Sequence, residues 1–82
     1  MKLPRDLAGR ELARVLGKVF GYQVTRETGS HLRLTTQAGG QHHLTIPDHD
    51  SLRVGTLAAA LGEVCTHFRL ERDEVVRRLF GD

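Results

Sequence analysis

The stretch His31-Leu32-Arg33-Leu34-Thr35-Thr36 decides the fold. Period two puts Leu32 and Leu34 on one face and His31, Arg33 and Thr35 on the other, as in a strand half in a core and half in water. Before it, Thr28, Gly29 and Ser30 supply turn chemistry. Residues 22–27 (Tyr22, Gln23, Val24, Thr25, Arg26, Glu27) alternate in character and are rich in strand formers, which predicts a hairpin. After it, Gln37 to Gly40 reads as a second hairpin turn, with Gly39-Gly40 free to take positive φ. A third strand is predicted over 41–47, with Leu44 and Ile46 inward and His43 and Thr45 outward. Pro47 ends it, because proline cannot extend a ladder.

The flanks are helical. Leu12, Val15, Leu16, Val19 and Phe20 fall at i, i+3, i+4, i+7 and i+8, which predicts an amphipathic helix over about 9–20, stopped by Gly21. Arg10, Arg14 and Lys18 recur every four residues and form a cationic stripe on its other side. A polar loop, Asp48 to Arg53, leads to a second helix that begins near Val54–Thr56. Its apolar face is Leu57, Leu61, Val64, Cys65 and Phe68, and Ala58, Ala59 and Ala60 favour it strongly. A short last helix, about 71–80, offers Val75, Val76, Leu79 and Phe80. The order is therefore α-β-β-β-α-α within one domain over 1–82. The fold class is α+β, a three-stranded antiparallel sheet with helices on one face. The other face, with His31, Arg33, Thr35, His43 and Thr45, stays open, and a polar open face needs no function to explain it.

Charge narrows the partners only a little. The 82 residues carry a formal net charge of +2. Residues 1–47 hold seven basic and three acidic side chains, and 48–82 hold five basic and seven acidic ones. A basic front half suits a polyanion, although such runs are commonly solvated surface. Cys65 is alone, so no internal disulfide forms. No apolar run nears the ~20 residues of a membrane span, and the first residues lack an apolar leader core. A cytoplasmic protein with no membrane contact is expected. His42, His43 and His49 invite a zinc reading, but neighbouring strand residues point to opposite faces, and no cysteine pair or H-E-x-x-H helix is present. No metal and no cofactor is expected.

Several short features then occur in order: Lys2-Leu3-Pro4-Arg5, Glu11-Leu12, Gly21-Tyr22 with Val24, Gly29-Ser30-His31 followed by Leu32-Arg33-Leu34, Pro47-x-His49, and Gly55-Thr56-Leu57. Taken together over about residues 2–64 they resemble the HicA toxins, the messenger-RNA interferases of type II toxin–antitoxin pairs. The chain departs from that pattern at Ala8, where a serine usually completes a capping box with the Glu. Without it, the cap is expected to move to Asp6. Val54 stands where proline is common, and Thr66-His67-Phe68-Arg69 looks longer than the usual turn into the last helix.

The resemblance implies a double-stranded-RNA-binding-domain-like fold and an endoribonuclease that cleaves messenger RNA with one essential histidine, here His31. It also implies a HicB-like antitoxin that covers this histidine. The chemistry fits the residue type. RNA carries its own nucleophile, the 2′-hydroxyl, so an enzyme need only move protons and stabilise phosphorane charge. Histidine, titrating at roughly 6.5, suits the proton transfers. Arg33, two residues on and on the same face, has the forked donors that hold a phosphate. Gly29 and Ser30 form the turn that presents His31, and the Ser30 hydroxyl is a candidate hydrogen-bond support. Arg10, Arg14 and Lys18 are candidates for gripping the RNA backbone, where contacts dominate affinity without reading sequence.

Each of these residues also has an ordinary reading: a strand histidine, solvated arginines, and a serine chosen for its turn. Two other functions stay open. A double-stranded-RNA-binding domain without chemistry would place a lysine cluster at the second helix, where only Arg53 is near. A protein-interaction domain would use the open polar sheet without catalysis, as would a toxin that has lost its activity. With 5% aromatic residues and no Trp, there is little means for base stacking, so single-stranded or weakly structured RNA read with low sequence specificity is expected.

Overall fold

In the computed structural model, which describes residues 3–81, three strands form one antiparallel sheet in the order β1 (Gln23–Thr28), β2 (His31–Thr36), β3 (His42–Pro47). Lys2 of the opening motif lies outside the described residues. Three helices, α1 (Gly9–Phe20), α2 (Val54–Phe68) and α3 (Arg72–Phe80), complete the α-β-β-β-α-α order. Among the described residues no helix is long and apolar enough to cross a membrane.

The alternation read from β2 is what the sheet does. Leu32, Leu34, Leu44 and Ile46 are buried against Leu12 and Leu16 of α1, Leu57, Leu61 and Val64 of α2, and Val75, Val76 and Leu79 of α3. Each of the larger aliphatic chains contributes about 1.5–3 kcal/mol by leaving water. Thr36 continues the inward series as a buried polar residue. Its hydroxyl donates to the Phe20 carbonyl at 2.8 Å and accepts from the Ala38 N–H at 3.2 Å, and among the described residues no buried side-chain polar atom lacks a partner.

Five local features differ from the sequence reading. All of β1 is exposed, Val24 included at 42%, because the sheet overhangs the helices there; the apolar anchor at this end is Tyr22, just before the strand, 2% exposed. The register of β1 against β2 also slips between Val24 and Arg26, leaving Thr25 as the extra residue of a bulge. In α1 the buried line is Gly9, Leu12, Ala13, Leu16 and Phe20, while Val19 is exposed at 37%. Small Gly9 and Ala13 let α1 approach closely, which leaves Val15 at the edge of the core and turns Val19 out to solvent. The α1 N-cap is Ala8 and did not move to Asp6. Alanine has no acceptor, but Glu11 alone closes half the capping box by accepting the Ala8 N–H at 2.9 Å. Asp6 instead takes φ +55 and accepts the Ser51 hydroxyl at 3.3 Å. Finally, Thr66 to Phe68 is the last turn of α2, closed by Arg69 at φ +56, so the turn into α3 is short.

The end of the sheet that carries His31 is tied to α1 at several points. His31 pairs with Pro47, and one step beyond, the Asp48 N–H donates to the Ser30 carbonyl at 2.6 Å. The Gly9 N–H donates to the His49 carbonyl at 2.9 Å, and the Leu52 N–H to the Leu7 carbonyl at 2.7 Å. Gly9 sits so close to Pro47 that a Cβ there would lie 2.0 Å from the Pro47 carbonyl oxygen. Only glycine fits.

Candidate functional site

His31 is the first residue of β2, directly after a two-residue turn. Gly29 has φ +56 and Ser30 is not in the positive region, the sign pattern of a hairpin turn with glycine in its first central place. That turn matches the strand twist and puts His31 opposite Thr28 on one side and Pro47 on the other. The imidazole is exposed on the open face of the sheet. Among the described residues it has no side-chain hydrogen-bond partner; the Ser30 hydroxyl does not reach it.

Arg33 follows on the same face. It pairs across the ladder with Arg26 of β1 on one side and Thr45 of β3 on the other. His31, Arg33, Arg26, Thr28 and Thr45 line a shallow groove of about 210 Å³. Like charges facing each other across a strand pair are destabilising, and among the described residues neither arginine has an ion-pair partner. The groove therefore holds two uncompensated guanidinium groups beside an unengaged imidazole. Arg26 belongs to this site as much as Arg33 does, and its pairing to Arg33 depends on the bulge that shifts β1.

The stripe on α1 lies elsewhere. Arg10 and Arg14 line a second small groove with Ala13, Val24 and Leu32. Leu32 faces the core, so this groove is on the helix side of the sheet, opposite His31. Arg10 is engaged there: its guanidinium donates to Glu27 at 2.7 Å and to Asp48 at 3.0 Å. These hydrogen bonds, Glu27's first, raise its pKa further and hold it charged. It links the start of α1 to β1 and to the segment after β3. Arg14 and Lys18 are exposed along the same helix. The structure brings Gly29, Ser30, His31 and Arg33 together and leaves Arg10, Arg14 and Lys18 on the other side.

A larger groove, about 620 Å³, is lined by His42, Ala59, Gly62, Glu63, Thr66 and His67. Its histidines are committed to the fold. His42 Nδ1 meets the Tyr22 hydroxyl at 2.8 Å, and Nε2 lies 3.7 Å from Glu63. The His42 and His67 rings stack with centroids 4.6 Å apart, and His67 Nε2 meets the Ala38 carbonyl at 2.9 Å. Burial, and then His67, push His42 below its ordinary value. Burial also pushes the Tyr22 phenol up to about 12, with Glu63 adding to it. Among the described residues no three His, Cys, Asp or Glu side chains converge as a metal site. His43, its neighbour in sequence, points to the open face, where Nδ1 meets Thr35 Oγ1 at 2.9 Å. His49 is exposed in the segment after β3.

A single residue's exposure does not identify a function, but the ordered chain does match one family. The family model described as the HicA toxin of bacterial toxin–antitoxin systems matches residues 9–64. No curated protein and no solved structure matches. The matched segment runs from the start of α1 through the whole sheet to most of α2 and includes the groove at His31, so the chain belongs to the HicA toxin family.

Proposed function

We propose that this toxin is an endoribonuclease that cleaves messenger RNA in the cytoplasm by metal-independent transesterification, with His31 moving the proton. The observation that carries the reading is the unengaged His31 imidazole beside the unpaired Arg26 and Arg33 on one rigid sheet face. A phosphate held by the two guanidinium groups would bring its ribose to the imidazole. The ribose 2′-oxygen attacks phosphorus, the bond from phosphorus to the 5′-oxygen breaks, and that oxygen leaves with a proton. The products are a 2′,3′-cyclic phosphate and a 5′-hydroxyl. His31 serves one of the two proton transfers, an effect typically of about 10²–10⁴-fold. Arg26 and Arg33 oppose the charge gathering on the phosphorane.

Gly29 and Ser30 shape the turn that presents His31, whereas Arg14 and Lys18 of α1, on the helix side of the sheet, are left out of the contact with the cleaved phosphate. Arg10, neutralised by Glu27 and Asp48, is assigned instead to holding α1 against β1. The antitoxin is HicB-like and seats over the His31 face, where its acidic groups meet Arg26 and Arg33.

The test is to digest a transcript with the purified toxin in excess chelator and to analyse the ends. Cyclic phosphate ends, with a loss of about 10²-fold or more in His31→Ala, support the reading. Ends bearing 3′-hydroxyl groups, a need for metal, or undiminished cleavage by His31→Ala overturn it. Arg26→Gln and Arg33→Gln should each flatten the dependence of log Kd on log salt by about 0.7.

A further inference from the structure

The open sheet face carries a second organised feature, on residues that the cleavage scheme does not use. Thr25 Oγ1 lies 2.9 Å from Thr35 Oγ1, and Thr35 Oγ1 lies 2.9 Å from His43 Nδ1. Thr25 Oγ1 also donates to the Arg33 carbonyl at 3.3 Å. Three strands each contribute one member. Thr25 is the extra residue of the β1 bulge, and a bulge is a device for re-aiming a side chain.

The chain of bonds has a direction. A carbonyl only accepts, so all three bonds are made at once only when the single Thr25 hydroxyl proton goes to Arg33. Thr25 Oγ1 must then accept the Thr35 proton, and Thr35 Oγ1 must accept from His43 Nδ1–H. In the neutral ring this fixes the tautomer: Nδ1 holds the proton, and Nε2 offers a lone pair. Among the described residues nothing meets Nε2, which stays on the exposed side of the strand.

Position gives this acceptor a place relative to His31. Thr35, the pairing partner of His43, is four residues along β2 from His31, or roughly 13 Å at ~3.3 Å per residue. That is too far to share one phosphate with His31 and lies along the same face as Arg33 and Thr45. We infer that Thr25, Thr35 and His43 form a second RNA subsite. It takes a hydrogen-bond donor from a nucleotide flanking the cleaved one, through His43 Nε2. A phosphate has no proton to offer a neutral imidazole; a ribose 2′-hydroxyl and a base N–H do. His43 is a positioning residue, whereas His31 is the catalytic one. The inference rests on RNA being the ligand of this face.

The test measures binding in the His31→Ala background, where RNA is not cut. Fluorescence anisotropy is read with a short labelled RNA of mixed sequence and with its all-2′-deoxy counterpart, at about pH 8. Adding His43→Ala should weaken RNA binding roughly 3- to 10-fold, the effect of one hydrogen bond. Thr35→Val should give a smaller loss by freeing the ring. An RNA-only loss assigns the donor to the 2′-hydroxyl. An equal loss on both oligonucleotides assigns it to a base. RNA binding that is unchanged by His43→Ala overturns the subsite and leaves His31 chemistry standing. No binding of RNA by the folded His31→Ala protein overturns both.

Discussion

Replacing Gly9 with alanine is the substitution whose sign separates the packing described above from ordinary helix behaviour. In an exposed helix the change would stabilise by about 1 kcal/mol, because alanine is the better helix former. At Gly9 the new Cβ meets the Pro47 carbonyl oxygen at 2.0 Å and its carbon at 3.1 Å. Both are backbone, so the helix start must move. Overpacking of this kind costs about 1–3 kcal/mol. Moving the helix also stretches the 2.9 Å bond from the Gly9 N–H to the His49 carbonyl, worth about 0.5–1.5 kcal/mol. Against the propensity gain, the net is a loss of about 1–3 kcal/mol. For a domain of this size, holding ~0.05–0.15 kcal/mol per residue, that is a sizeable share of the whole. With ~4–8 °C per kcal/mol, Tm should fall by roughly 5–20 °C. Gly62 of α2 is the control: nothing lies within 4 Å of a Cβ there, so Gly62→Ala should raise Tm by a few degrees. Thermal unfolding followed by circular dichroism reads both. A Gly9→Ala protein as stable as wild type would refute the close approach of α1 to Pro47. Because Pro47 is the ladder partner of His31, cleavage by Gly9→Ala should also be impaired at temperatures where it is folded.

Three further outcomes are expected. Thr36→Val keeps the shape but strands the Phe20 carbonyl and the Ala38 N–H, so urea unfolding should show a loss of about 1–3 kcal/mol. Because burial and His67 lower the pKa of His42, the unfolded chain takes up this proton first. Stability present above about pH 6.5 is therefore lost as the pH falls through the lowered value. Urea midpoints taken in steps across that range should decline, and less steeply in His42→Gln. The Tyr22 phenol behaves oppositely: its pKa is raised to about 12. The unfolded chain ionises first, near 10, and the stability this group gives is lost from there up to about 12. Tyr22→Phe should flatten the alkaline limb.

The alternation in β2 and β3 was legible because one face of each strand is buried, which writes period two into the residues. The first strand had no such imprint. With both its faces in water, neither the end of β1 nor its bulge leaves a hydrophobic mark, and the pairing of Arg26 with Arg33 follows from that unseen slip. Gly29-Ser30-His31 could be placed from turn chemistry and from the resemblance alone. By contrast, the tie of Arg10 to Glu27 and Asp48 spans up to 38 residues, and a four-residue cationic spacing on a helix cannot say which acids will meet it. The separation of His42 from His43 did follow from strand geometry, but their partners did not. Tyr22 and His67 join His42, and Thr35 joins His43, only through tertiary packing. The Thr25–Thr35–His43 chain had one local clue, threonines at strand positions, which is common enough in sheets to carry no signal.

The most direct measurement is to induce the toxin and its His31→Ala variant from a tightly repressed promoter and to follow growth with the integrity of a reporter message. Circular dichroism of the purified variant must first show that it is folded, because unfolding of a small domain would abolish activity whatever the role of His31. Growth arrest with a fragmented message for wild type, and neither for folded His31→Ala, is the expected result. An intact message under wild-type induction, or equal fragmentation by His31→Ala, would contradict the assignment of His31 as the catalytic residue of a ribonuclease.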